Sequence, residues 1–260
     1  MRNFPASGRL SLDLICYNTP SITIEQDHFL PIWEARHKII ARREYEYMHP
    51  CDPWRVYDSD TNSYNEPFGT LTDGDFFGYV KKLIKHKKKI KPTFFGCEIM
   101  GTGALFRDFE RGSITASLGV TLADVRPVFT KLALDPYYHH DLLKGDILST
   151  HTFPKIQKWL YEHDADGFDL IVYRPLAGKK LIPRISGLQY YLLNHMYQLL
   201  TQQTGELFVE ANPGDQDILR VWRRICKQNG FHVKMNLPEA HTPSFKIIRT
   251  PTSPPSLPTL

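Results

Sequence analysis

Between residues 76 and 249, short apolar runs alternate with helix-like segments, and that alternation leaves few folds open. A helical stretch from Asp75 to about Lys88 leads into "TFFGCEIM". A short helical piece after Gly103 precedes "SLGVTLADV", and "HHDLLKGDIL" carries a short strand ending at Asp146. A helix over Pro154 to Glu162 is followed by "GFDLIVYRP", whose unbroken apolar run suits a strand buried on both faces. Gly187 to Gln203 reads as a long helix, "GELFVEAN" as a strand, and Asp215 to Asn229 as a helix stopped by Gly230. Strands separated by helices imply an α/β fold with a mostly parallel sheet covered on both sides. "FHVKMNL" and "SFKIIRT" have no helix between them, so they are expected to pair antiparallel at the sheet edge.

Two flanks differ in texture. Residues 1–75 are aromatic-rich and irregular and read as an N-terminal cap. They hold one amphipathic helix, roughly Gln26 to Met48, with Phe29, Ile32, Trp33, Ile39 and Ile40 as its apolar positions. Residues 76–250 form the main domain, and the proline-rich 251–260 reads as a disordered tail. Apolar residues make up 42% of the chain and charged residues 23%, enough for an ordinary packed core. No apolar run approaches the roughly 20 residues of a membrane span, and no secretory leader is evident. Cys16, Cys51, Cys97 and Cys226 lie far apart, which points to reduced thiols and a cytoplasmic setting. Net charge is +4, and much of the positive charge sits in "KKLIKHKKKIK", Lys81 to Lys91. That run reads as a solvated helix face with Val80, Leu83, Ile84 and Ile90 turned inward. With no aromatic among them to stack a base, nucleic acid is disfavoured as a partner.

The chemistry-bearing residues fall at strand ends. A parallel sheet binds ligands beyond the carboxyl ends of its strands. Glu98 closes the first strand of the sheet, and Gly101 and Gly103 follow, letting backbone approach a ligand. Asp124 closes the next strand, where a carboxylate can accept from ribose hydroxyls, and Asp146 closes the third, within reach of an adenine amino group. Three carboxylates suit an adenosine-like ligand of low negative charge. A pyrophosphate would be repelled by Glu98, and the full G-x-G-x-x-G fingerprint of dinucleotide sites is absent.

In this order "GCEIMGTGALFRDF", "GVTLADVRP", "LLKGDIL", "GFDLIVYRPLAG", "YYLLNHMYQLLTQQTGELFVEANP" and the closing pair "NGFHVKMN" and "SFKIIRT" resemble the class I S-adenosylmethionine-dependent methyltransferases. The resemblance covers about two thirds of the chain. It implies a Rossmann-like seven-stranded sheet, mostly parallel, with an antiparallel closing strand. It implies that Glu98, Gly101 and Gly103 hold the methionine end of S-adenosylmethionine. Asp124 would bind the ribose and Asp146 the adenine amino group, with Ile147 packing on the ring. Tyr173 or Arg174 would face the substrate side.

Two departures stand out. Met100 takes a place near the family's first loop glycine, and "YRPLAG" replaces the Asn/Asp-Pro-Pro-aromatic signature of many amino-group methylases. The implied reaction is methyl transfer to a small molecule or a protein side chain, with Tyr173, His139 and His140 as candidate general bases and no metal required. The alternatives are an inactive binding or scaffold protein on the same fold, and a nicotinamide dinucleotide enzyme. The missing third glycine and the antiparallel closing pair count against the latter.

Several residues invite sharper readings that their context does not support. Asp58, Asp60 and Asn62 start like a calcium loop, but Ser63 and Gly69 stand where glycine and glutamate are required. His139, His140 and Asp141 would need a distant third ligand to hold a metal. His151 and His163 read as surface helix residues, Trp222 as core, and Asp164 and Asp166 as a solvated turn.

Overall fold

The computed structural model describes residues 56–58, 63–65, 68–101, 106, 116–121, 140–147, 149, 151–173, 186–211, 214–238 and 243–259. A two-stranded antiparallel ribbon, β1 (Val56–Asp58) and β2 (Ser63–Asn65), comes first. Next in the chain are α1 (Phe76–Lys87), β3 (Phe95–Ile99), β4 (Ala116–Thr121), β5 (His140–Lys144), α2 (Thr152–Glu162) and β6 (Leu170–Tyr173). They are followed by α3 (Ser186–Gln198), β7 (Gly205–Glu210), α4 (Gln216–Gln228), β8 (His232–Asn236) and β9 (Ser244–Arg249). The proposed helix over Gln26 to Met48 lies outside the described residues.

Seven strands form one sheet in the order β5-β4-β3-β6-β7-β9-β8. β3 to β7 run parallel, whereas β9 pairs antiparallel with β7 and with β8. This is the α/β sheet that the methyltransferase resemblance implies, closing strand included. Every residue of β3, β4 and β6 is buried, as strands covered on both faces must be. Alternate side chains feed two cores. Cys97, Ile99, Ile171, Tyr173, Leu207 and Val209 join the face covered by α2, α3 and α4. Leu170, Val172 and Phe208 join the opposite face with Phe76, Val80 and Ile84 of α1, and with Phe68 and Leu71 ahead of it.

Local chemistry sets the helix ends. The Asp75 carboxylate accepts the Gly78 amide at 2.6 Å, capping α1. Gly230 takes φ +79 after α4, and the Phe231 amide returns to the Cys226 carbonyl at 2.9 Å, the stop expected there. At the foot of α3 the Arg249 guanidinium donates to the carbonyls of Gln198 (2.9 Å) and Leu200 (2.8 Å), a cation where helix carbonyls lack partners.

The basic run is more than a wet surface. Lys81, Lys82, Lys85, Lys88 and Lys89 are exposed, but Lys87 is buried. Its Nζ donates to the Gln203 carbonyl (2.6 Å) and to Thr204 Oγ1 (2.7 Å), and lies 3.4 Å from Asp169. Lys91 reaches the same carboxylate at 2.9 Å. Asp169 is fully buried and also accepts the Phe95 amide at 2.9 Å. Burial lowers the Lys87 pKa, and the Asp169 carboxylate works against that shift. Ile90, expected to turn inward, is exposed, because the helix has ended and Lys87 and Lys91 fill the inward positions.

The proline-rich end corrects the expectation of a disordered tail. Residues 251–259 lie against α3 and α4, with Leu257 buried at 3% exposure. Composition alone missed this because the partners are hydrogen-bond donors on distant helices: Tyr197 to the Pro254 carbonyl (2.9 Å) and Trp222 to the Pro258 carbonyl (3.0 Å). Trp222 is a core residue, as its spacing indicated.

Replacing Asp169 by Asn should cost on the order of 3–5 kcal/mol, since it leaves the Lys87 charge buried without its counter-ion. Lys85→Gln on the exposed face should stay within about 0.5 kcal/mol of the wild type. Chemical denaturation of the two variants measures the difference.

Candidate functional site

β4 and β6 flank β3 on opposite sides, so the chain leaves β3 in one direction and later returns on the other. That reversal opens a crevice beyond the carboxyl ends of β3 and β6. The chain at its floor is Glu98-Ile99-Met100-Gly101. Glu98 is level with Gly119 of β4 and Val172 of β6 and is 1% exposed. Met100 takes φ +59, a left-handed turn that usually calls for glycine. The turn folds the chain back onto β4, where the Gly101 amide donates to the Val120 carbonyl at 3.2 Å. The Glu98 side chain then curls over Gly101. A methyl group at Gly101 would stand 2.2 Å from Glu98 Oε1, so the carboxylate occupies the space that glycine leaves. The glycine expected to admit a ligand also admits the carboxylate beside it.

The second half of the site lies past β5. Gly145 bonds back to the Thr121 carbonyl at 2.8 Å, and Asp146 follows. A methyl at Gly145 would come within 2.7 Å of Thr152 Cγ2, so glycine lets the start of α2 close in. Thr152 Oγ1 donates to the Asp146 carbonyl, and the Ser149 amide donates to it at 2.9 Å. This fixes the loop that carries Asp146, which is partly buried. Ile147 is sunk into the core at 2% exposure and supports the loop from beneath.

Behind Asp146 stands an aromatic group that the sequence reading missed. Phe153 of α2 stacks on His195 of α3 at 4.6 Å, and Tyr191 meets His195 edge-on at 4.4 Å. Burial, and then the Asp146 carboxylate, push the Tyr191 phenol up to about 12. Burial pulls the His195 imidazole below its ordinary value, which favours the neutral ring. The available signal was Tyr191 and His195 four residues apart on one helix face.

The base candidates separate. Tyr173 ends β6 but is buried, and burial pushes its phenol well above the ordinary range. At neutral pH it offers a hydroxyl rather than a phenolate. His140 opens β5 opposite Ser117, at the amino edge of the sheet. Four residues of strand, roughly 13 Å, separate it from the carboxyl end where a ligand enters, which counts against His140 as a candidate base. The adjoining Asp141 accepts Trp159 Nε1 at 2.6 Å and lies 3.6 Å from His163. His163 is therefore not a plain surface residue: it stacks on Trp159 at 4.0 Å. Among the described residues, no three His, Cys, Asp or Glu side chains are grouped to hold a metal, and no helix is long and apolar enough to cross a membrane. Gly103, Asp124, His139 and Arg174 lie outside the described residues.

No family model matches the sequence, and no curated protein matches it. Among solved structures, the chain is similar to magnesium protoporphyrin IX methyltransferase (ChlM) from Synechocystis PCC 6803, solved with bound SAM. That match has 13% identity and a TM-score of 0.47 over 83% of this chain and 97% of that one. It is also similar to N-methyltransferase NodS from Bradyrhizobium japonicum WM9, with 13% identity and a TM-score of 0.40 over 68% of this chain and 99% of that one. A putative SAM-dependent methyltransferase from Streptococcus mutans matches at 16% identity and a TM-score of 0.42 over 65% of this chain, which spans 47% of that protein. The fold assignment itself rests on strand order and direction.

Gly101→Ala should destabilise the chain by about 1–3 kcal/mol, because its methyl displaces the Glu98 carboxylate. In a Glu98→Ala background the same change should cost markedly less. A double-mutant cycle by urea unfolding reads the coupling; additive effects would remove Glu98 from the Gly101 turn.

Proposed function

We propose that the chain binds S-adenosylmethionine across the carboxyl ends of β3, β4 and β5 and transfers its methyl group to an acceptor. The observation that carries this reading is the pairing of two features on one edge of the sheet. Glu98 folds over the Gly101 turn at the switch point, and the partly buried Asp146 stands on a braced loop two strands away. The ordered motif resemblance supports the same ligand. S-adenosylmethionine supplies an electrophilic methyl on a sulfonium, so the protein's work is to hold, orient and exclude water.

In this reading the Glu98–Gly101 turn receives the methionine end, whose ammonium suits a buried carboxylate. Asp124 accepts from the ribose hydroxyls and Asp146 from the adenine amino group. Gly103 gives a second close backbone approach, and Ile147 keeps the adenine-side loop rigid from below. Tyr173, held protonated by burial, can donate a hydrogen bond towards an acceptor at the end of β6, and Arg174 follows it on the acceptor side. A base, where the acceptor needs one, is left to the segment after β6. Residues 1–75 and 174–185 would select the acceptor, a small molecule or a protein side chain. No observation on the described residues favours the inactive-scaffold reading.

Isothermal titration with S-adenosylmethionine and its demethylated product should give saturable heat with each. Asp124→Ala should weaken both by at least about tenfold, the loss expected when a charge-assisted bond worth roughly 1.5–3 kcal/mol is removed. Heat with NADH and none with either adenosyl ligand would overturn the proposal.

A further inference from the structure

The stretch after β9 is seated in a groove whose chemistry matches it residue by residue. α3 contributes Tyr190, Asn194 and Tyr197, spaced four and three residues apart along one face, and α4 contributes Trp222. Tyr197 Oη donates to the Pro254 carbonyl at 2.9 Å, Tyr190 Oη to the Leu257 carbonyl at 3.1 Å, and Trp222 Nε1 to the Pro258 carbonyl at 3.0 Å. Three aromatic side chains thus present their polar tips to three backbone carbonyls.

A proline-rich segment suits that array. Proline has no amide hydrogen, so its neighbours' carbonyls are left without local partners, and the groove supplies donors instead. One residue of the segment needs the reverse. Leu257 keeps its amide, and Asn194 Oδ1 accepts it at 3.0 Å. Leu257 is also the residue of the segment that sinks fully, at 3% exposure, while Pro255 and Ser256 face outward. The groove therefore reads a pattern: carbonyl acceptors at Pro254, Leu257 and Pro258, with a single apolar side chain and a single amide at Leu257. Aromatic-lined grooves that read proline-rich peptides in trans use the same chemistry.

We propose that the α3–α4 groove is a recognition site for proline-rich peptides of the pattern Pro-x-x-Leu-Pro, filled in cis by residues 254–258. The assignment is independent of methyl transfer. A tethered occupant holds the site at an effective concentration on the order of millimolar, so a free peptide competes only when the tether is unseated.

The test uses the full chain and a fluorescein-labelled peptide, TSPPSLPTL, copied from residues 252–260. Wild-type protein should show no anisotropy change at roughly 100 μM sites, because the cis segment outcompetes the peptide. Full-length Leu257→Asp, which drives a carboxylate against the apolar pocket, should release its own segment and bind the peptide. A control peptide carrying Asp at the Leu257 position should not bind. Adding Asn194→Ala to the Leu257→Asp chain should weaken the peptide by about tenfold. A Leu257→Asp chain with wild-type circular dichroism that takes up neither peptide, or both equally, overturns the proposal. Wild-type hydrogen exchange gives a reading that needs no variant. Strong protection of the Leu257 amide supports the seated segment, and exchange at the unstructured rate refutes it.

Discussion

The reversal of strand order at β3 is the constraint on which the site depends. β4 and β5 extend the sheet to one side of β3, and β6 and β7 extend it to the other. Every residue of β3, β4 and β6 is buried, so a ligand has access to these strands only at their ends. The Glu98–Gly101 turn stands at the carboxyl end of β3, where the strand order reverses. The turn is tight: Met100 is forced to φ +59, and Gly101 lacks the side chain that would collide with Glu98. A carboxylate with 1% exposure is held where the crevice begins.

On the opposite face of the sheet, buried charge ties α1 to the strands. Asp169, just before β6, ties α1 to the sheet through Lys87 and Lys91. Further along, Tyr79 of α1 donates to the Glu206 carboxylate at 2.7 and 2.8 Å, and Lys246 of β9 donates to Tyr79 at 2.9 Å. Lys246 also lies 3.6 Å from Glu206 and 4.6 Å from the Tyr79 ring centre. Burial, then the neighbouring Glu206, raise the Tyr79 pKa far above its ordinary value, so the phenol stays a donor. Such buried pairs contribute little net stability, because the desolvation of both charges offsets their attraction. They fix α1 against the starts of β6 and β7 and against β9.

Much of this was legible in the sequence because it depends on local pattern. The apolar runs of β3, β4, β6 and β7, the helix start at Asp75 and the Gly230 stop are written within a few residues, and the structure follows them. The antiparallel β8–β9 pair followed from the absence of a helix between them. What was not legible depends on partners far along the chain. Lys87 looked like one lysine among many until Asp169, 82 positions later, gave it a reason to be buried. Leu257 and its prolines looked disordered because proline-rich composition has no means of showing a groove of donors on α3 and α4. At the site, Glu98 and Asp146 stand at strand ends as the pattern required. The Phe153–His195–Tyr191 group behind Asp146 comes from two helices, α2 and α3, and only the folded chain brings it together.

The most direct measurement is a crystal structure of the full chain with S-adenosylhomocysteine. The expected result places the amino-acid end of the ligand at the Glu98–Gly101 turn and its adenine beside Asp146, with the ribose against Asp124. A ligand bound away from the carboxyl ends of β3, β4 and β5, or with its adenine at the β6 side of the crevice, would contradict the proposed site.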